Sequence, residues 1–191
     1  MFDLDRFIEA CRAVAHEDEH GPKRVLELMR EAIADPEAVR AGVKPLEPGK
    51  GVLDAPLFRS PDLTVLNAQL MPGLVSIPHD HRIWAVIGIY DGEEANTFYR
   101  RGDLGLEESN HRTIHSGEAI LLGADVIHAI ENPLDRPTLG LHVYGGDLFG
   151  PERSMWDPQS GEELAYDVPR FNRLCRDLAL KRRAEKAAIA G

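Results

Sequence analysis

Between residues 3 and 40, apolar side chains recur three and four positions apart: Phe7, Ile8, Cys11 and Val14, then Val25, Leu26, Leu28, Met29 and Ile33. That spacing lays an apolar stripe along a helix, and Gly21-Pro22 and Asp35-Pro36 divide it, so the pattern predicts two helices and a short third. Pro45, Pro48, Gly49, Gly51, Pro56 and Pro61 follow closely and predict a linker over 46–62 leading into the next unit. The period then changes. From about 57 to 149 the chain reads as short β-rich runs, Leu63 to Leu70, Ile83 to Tyr90, Thr97 to Tyr99, Ala119 to Leu122, Val126 to Ile130 and Thr138 to Tyr144. Turns at Met71-Pro72-Gly73, Asp91-Gly92, Ser116-Gly117 and Asn132-Pro133 separate several of them. No helix-sized segment lies between these runs, which points to an antiparallel sandwich or barrel and away from a parallel sheet. Residues 163–190 return to helix formers, with Pro169 expected to break them. The organisation expected is therefore an N-terminal helical segment (1–45), a barrel (57–160) and a C-terminal helical tail (161–191), together one structural domain.

Composition narrows the partners. With 191 residues and a formal net charge of −10, general binding to nucleic acid or to anionic membranes is disfavoured. Arg182, Arg183 and Lys186 in the tail read as a solvated helix face. No apolar stretch approaches the roughly 18 residues of a membrane span, and the first residues carry no basic start followed by an apolar run, so a cytoplasmic protein is expected. Cys11 and Cys175, in opposite terminal segments, support neither a disulfide scaffold nor a cysteine-zinc cluster.

The histidines carry the candidate chemistry. His79 and His81 flank Asp80, and a strand's period of two places both imidazoles on one face, close enough to chelate a metal ion. His16-Glu17-Asp18-Glu19-His20 satisfies the spacing of the zinc-protease helix motif, but Gly21-Pro22 ends any helix immediately after it and three consecutive acids suit an exposed helix end. His111 and His115 fall in a polar stretch read as a surface loop. Trp84 and Trp156 read as packing residues.

Gly73, five residues, then His79-Asp80-His81 and an apolar run form one frame; Gly117, five residues, Gly123, Asp125, His128 and Asn132 form a second. Together they resemble the two signature motifs of the cupin superfamily. That resemblance implies a mainly β fold, a double-stranded β-helix with helical extensions, whose metal ligands here would be His79, His81 and His128. The family's glutamate ligand would stand at Ala85 or Val86, so no carboxylate ligand is present. Three neutral imidazoles leave a divalent ion its full charge, suited to an anionic substrate with dioxygen. By strand parity Ile83, Ala85 and Ile87 should face inward with the histidines, Ala85 leaving room beside the ion.

A narrower likeness follows from Gly140-Leu141-His142-Val143-Tyr144, fourteen residues beyond His128, and from His79-Asp80-His81-Arg82-Ile83-Trp84. Both are similar to the cysteine dioxygenase family, including its bacterial members that oxidise mercaptocarboxylates such as 3-mercaptopropionate. The likeness implies that His142 and Tyr144 form a catalytic pair, although Gly140 replaces the serine of the family's Ser-His-Tyr relay and no cysteine lies near Ala85. It also implies an arginine for the substrate carboxylate, whose planar fork donates two parallel hydrogen bonds. Arg59 matches the family position; Arg82 is the rival, though a regular strand would aim it away from the metal.

The expected protein is an Fe(II)-dependent thiol dioxygenase that takes a small thiol and O2 to a sulfinate. Imidazole also accepts Ni, Mn or Zn, so iron rests on the resemblance. The alternatives are a metal-dependent cupin of other chemistry, a carbon-substrate dioxygenase or isomerase, and a non-catalytic ligand-binding cupin. Exposed barrel edges would suit a homodimer.

Overall fold

The computed structural model describes residues 1–44, 56–103, 105–150 and 152–190; Pro45, Pro48, Gly49 and Gly51 of the expected linker lie outside them. The three N-terminal helices form where the apolar spacing places them: α1 (Leu4–Ala15), α2 (Gly21–Ile33) and α3 (Pro36–Gly42). Asp3 caps α1 by accepting the Arg6 N–H at 3.1 Å, and Asp35 caps α3 at the Ala38 N–H, with Pro36 in the first turn where its missing N–H costs nothing. Residues 16–20 form the turn between α1 and α2, so the His-Glu-x-x-His spacing never lies on one helix face. His16 is tied to the Asp62 carbonyl, while Glu17 and Asp18 bind Arg24.

The rest rolls into two antiparallel sheets. The first runs in the order β1 (Phe58–Arg59), β2 (Thr64–Leu70), β9 (Thr138–Tyr144), β4 (Ala85–Asp91), β7 (Ala119–Leu122). The second runs β11 (Glu163–Ala165), β10 (Ser154–Trp156), β3 (His79–Asp80), β8 (Ile127–Glu131), β5 (Glu93–Gly102), β6 (Gly105–His115). Neighbours such as β2 and β9 are far apart in sequence because the chain passes from sheet to sheet as it coils, the double-stranded β-helix expected above.

The first sheet is apolar on both faces, which is why β2, β4 and β9 read as nearly continuous hydrophobic runs. Its outer face (Val65, Val86, Leu141, Val143) packs on Phe7, Met29 and Ile33 of the helices. Its inner face (Leu66, Ala85, Ile87, Ile89) fills the barrel with Ile114, Ile120 and Leu122. Gly88 lets α2 seat closely, since a Cβ there would lie 2.5 Å from the Met29 sulfur.

Three expectations change. The run at Thr97 to Tyr99 is the middle of the ten-residue β5, paired along its length with the eleven-residue β6. His111 and His115 lie on that strand, not in a loop, although both are exposed as expected. Only Ile114 of β6 is buried, so there is no alternation for a pattern to show; backbone pairing to β5 holds the strand. At the other end, β10 and β11 carry the second sheet to Ala165, and Pro169 sits in the first turn of α4 (Val168–Ala190) instead of breaking a helix. No helix among the described residues is long and apolar enough to cross a membrane.

Candidate metal centre

β3 lies beside β8 with His79 directly opposite His128, and His81 follows two positions on, across Asp80. This register brings the three imidazoles together at one end of the barrel, with one ligand atom from each within 4.8 Å of the others. The His81 and His128 Nε2 atoms are 3.4 Å apart. Two nitrogens each about 2.1 Å from a shared ion would stand roughly 3–3.4 Å apart, so the spacing fits coordination. The outer nitrogens are already committed: His79 Nδ1 donates to the Ile77 carbonyl at 3.1 Å and His128 Nδ1 to Asn96 Oδ1 at 2.8 Å. Each bond fixes a tautomer with a bare Nε2, the arrangement metal-binding histidines adopt. Burial pushes His79 down to about 4, and burial with the neighbouring rings pushes His81 and His128 well below their ordinary value. All three are therefore neutral lone-pair donors near pH 7.

After Asp80 the strand breaks, with Arg82 in the left-handed region at φ 59°. The chain resumes as β4 with Ala85 opposite Tyr144 of β9, and the Tyr144 ring stands edge-on to His81, centroids 5.1 Å apart. His142, two residues before it on the same face, places Nδ1 3.3 Å from the Tyr144 hydroxyl. Burial pushes the tyrosine phenol up and His142 down to about 4, so both are neutral.

A cavity of about 150 Å³ opens onto the histidines, Tyr144 and His142. It is smaller than the roughly 300–1,000 Å³ of drug-sized sites and suits a substrate of few heavy atoms. Leu66, Leu70, Leu74 and Ile87 make its walls apolar. Neither arginine expected from the sequence lines it. Arg59 forks onto both carboxylate oxygens of Asp147 (2.8 and 3.0 Å) and stacks on Phe149, half exposed. Arg82, in the bend after β3, pairs with the buried Asp80 at 2.9 Å.

The arginine in the cavity wall is Arg153, just ahead of β10, which sequence reasoning missed. It is 8% exposed, its guanidinium lies 3.8 Å over the Tyr166 ring, and among the described residues no carboxylate is within ion-pair distance. Nothing in Pro-Glu-Arg-Ser separates it from a surface loop arginine; only the added strands β10 and β11 turn it inward. Glu94 and Asn96 were also missed, although their alternation with Phe98 after the Asp91-Gly92 turn marks an inward face carrying polar side chains. Cys175 lines the cavity as well, its thiol raised to about 11 by burial; Cys11 is buried and raised to about 12, so neither is a thiolate near neutral pH. Trp84 packs beside His16 and Trp156 lies under Arg101, both away from the cavity lining.

No protein-family profile matches the chain. Among solved structures, a variant of oxalate decarboxylase from Bacillus subtilis is similar at TM-score 0.40 and 19% identity, over 48% of this chain and 23% of that one. Oxalate decarboxylase from Lactobacillus farciminis in a formate complex is similar at TM-score 0.39 and 16% identity, over 45% and 25%. An uncharacterised conserved protein with a double-stranded β-helix domain from Klebsiella pneumoniae is similar at TM-score 0.45 and 16% identity, over 61% and 87%. The chain spans about a quarter of the length of the oxalate decarboxylases it matches. The chain is a double-stranded β-helix with a buried three-histidine group able to hold a metal ion.

Proposed function

We propose that the protein is an Fe(II)-dependent thiol dioxygenase that converts a small mercaptocarboxylate or cysteine-like thiol and O2 into the sulfinate, R–SH + O2 → R–SO2H. The observation that carries this reading is a small, mostly apolar cavity lined by three converging neutral imidazoles and by one buried arginine that has no carboxylate partner among the described residues. The thiol class rests on the likeness of the His79–Trp84 and His142–Tyr144 segments to the cysteine dioxygenase family.

His79, His81 and His128 would hold the iron, which when bound supplies the redox chemistry that joins O2 to sulfur. The protein's residues do the rest. Arg153 takes the substrate carboxylate, its planar fork kept in place by stacking on Tyr166. A carboxylate anchored there leaves the thiol end of a short substrate to reach the histidines, which turns a bimolecular encounter into a positioned one. Leu74 and Phe171 add apolar surface to the chamber wall, which strengthens the charge of the arginine inside it. Tyr144, held by His142, presents its hydroxyl at the same end.

The test is anaerobic Fe(II) loading followed by O2 uptake with 3-mercaptopropionate, cysteine, mercaptosuccinate and cysteamine, beside a His128→Ala variant. Sulfinate formation that vanishes in the variant is expected. Stoichiometric iron with no uptake on any thiol would refute the thiol assignment and leave a metal centre for carbon substrates or ligand binding.

A further inference from the structure

Glu94 is fully buried inside the barrel, on the inward face of β5 with Asn96. One carboxyl oxygen accepts from Asn96 Nδ2 at 2.9 Å. The other, Oε2, has no hydrogen-bond partner, and neither does the buried His142 Nε2; the two orphan atoms face each other at 3.7 Å. Two buried polar atoms left unpaired are each costly, whereas closing the gap by a few tenths of an ångström satisfies both. Gly140 leaves room for this approach: a Cβ there would already stand 3.3 Å from the same His142 nitrogen.

We propose that Glu94 is the positioning residue of this site, setting which nitrogen of His142 carries the proton and hence the direction of the Tyr144 hydroxyl, with Asn96 linking that setting to His128. The link to His128 rests on the reading of the three histidines as metal ligands; the control of His142 does not. Burial leaves His142 neutral, so its contact with Glu94 is not an ion pair, and what Glu94 sets is the tautomer.

The directions follow in order around the chain of contacts. With His128 Nε2 turned to the metal, its Nδ1–H donates to Asn96 Oδ1. That fixes the Asn96 amide, whose Nδ2–H must donate to Glu94 Oε1. An ionised Glu94 then has only acceptors left, so His142 must donate from Nε2 and keep Nδ1 as a lone pair. The Tyr144 hydroxyl donates to that lone pair, and its own oxygen lone pairs face the cavity. In Glu94→Gln the introduced side chain still accepts from Asn96 through its oxygen, so its NH2 faces His142, which must then accept at Nε2 and carry its proton on Nδ1. The Tyr144 hydrogen is released toward the cavity.

The experiment reads tautomers by nitrogen-15 NMR of histidine-labelled, Zn(II)-loaded protein at about pH 8.5, with His142→Gln to assign the signal. Wild type is expected to carry the His142 proton on Nε2 and Glu94→Gln on Nδ1. A proton on Nδ1 in wild type, or the same tautomer in both proteins, would overturn the proposal. The wild-type result decides even if the variant folds poorly. Zinc titration separates the two readings: if His79, His81 and His128 signals ignore the metal, the metal reading fails while the His142 result still stands or falls alone.

Discussion

At the scale of single residues, placement and chemistry part company most clearly among the arginines. Arg59 and Arg82 each already have a carboxylate, Asp147 and Asp80, and an occupied guanidinium has little left to offer a substrate. Arg153 is buried against Tyr166 with none among the described residues, so a bound carboxylate would complete a charge-assisted hydrogen-bonded pair. Under the thiol dioxygenase reading, Arg153→Gln should raise KM for 3-mercaptopropionate by about 10- to 100-fold, the loss of one such bond. KM for cysteamine, which has no carboxylate, should stay within about twofold by the same reasoning. Steady-state O2 uptake on both thiols checks this, and an equal rise for both would remove Arg153 from carboxylate binding. Arg59→Gln should change neither. The histidine cluster was legible because two short motifs announce it at fixed spacing. Arg153 was not, because its burial depends on strands that form hundreds of ångströms of chain contour after His79 and leave no periodic trace.

At the scale of elements, the segment from β10 through the first half of α4 is what converts an open barrel end into a chamber. Phe171, Leu174, Cys175 and Leu178 pack on Ile77, Met155 and Leu164. Phe171 stands edge-on to His79 with centroids 5.1 Å apart, and the Cys175 sulfur accepts the Ile77 N–H at 3.4 Å. Later in the helix Arg182 pairs with Glu131 and Arg183 reaches the Pro72 carbonyl, so two of the tail's cations clamp it to the barrel. Phe171→Ala should therefore cost about 1–3 kcal/mol in urea unfolding, less than a fully buried phenylalanine because its ring is only partly covered. It should also admit water beside His79. An unchanged midpoint would show that α4 docks without this ring. The N-terminal helices were readable from their 3.6-residue spacing, and β2, β4 and β9 from their apolar runs. The β6 strand was hidden because both its faces are polar, and the start of α4 was misread because Pro169 breaks a helix interior but suits a first turn.

At the scale of the whole molecule, the barrel concentrates buried histidines at one end, and that sets how stability depends on pH. His79 and His142 are each lowered from an ordinary 6.5 to about 4, with burial the largest cause, and His81 and His128 are held well below their ordinary value by burial and then by neighbouring histidines. A lowered folded value means the unfolded chain takes up protons first. The stabilisation is thus present above pH 6.5 and is lost as pH falls toward 4. At about 1.4 kcal/mol per unit, His79 and His142 each forfeit on the order of 3 kcal/mol across that window. Glu94 acts in the opposite sense: raised from 4.5 to about 7 by burial, it favours the folded state below about 4.5 and loses that contribution as pH climbs through 7. One carboxyl offsets roughly one histidine, which leaves the other three to dominate. Since a domain of this size is held by only about 5–15 kcal/mol, the metal-free protein should unfold between pH 6.5 and 4. Thermal melts of chelator-treated protein across that range should show Tm falling steeply, and a flat Tm from pH 7 to 5 would contradict the buried, neutral histidine cluster. Adding a divalent metal at pH 7 should raise Tm by mass action, and this gain should shrink on acidification because protons and metal compete for the same Nε2 lone pairs.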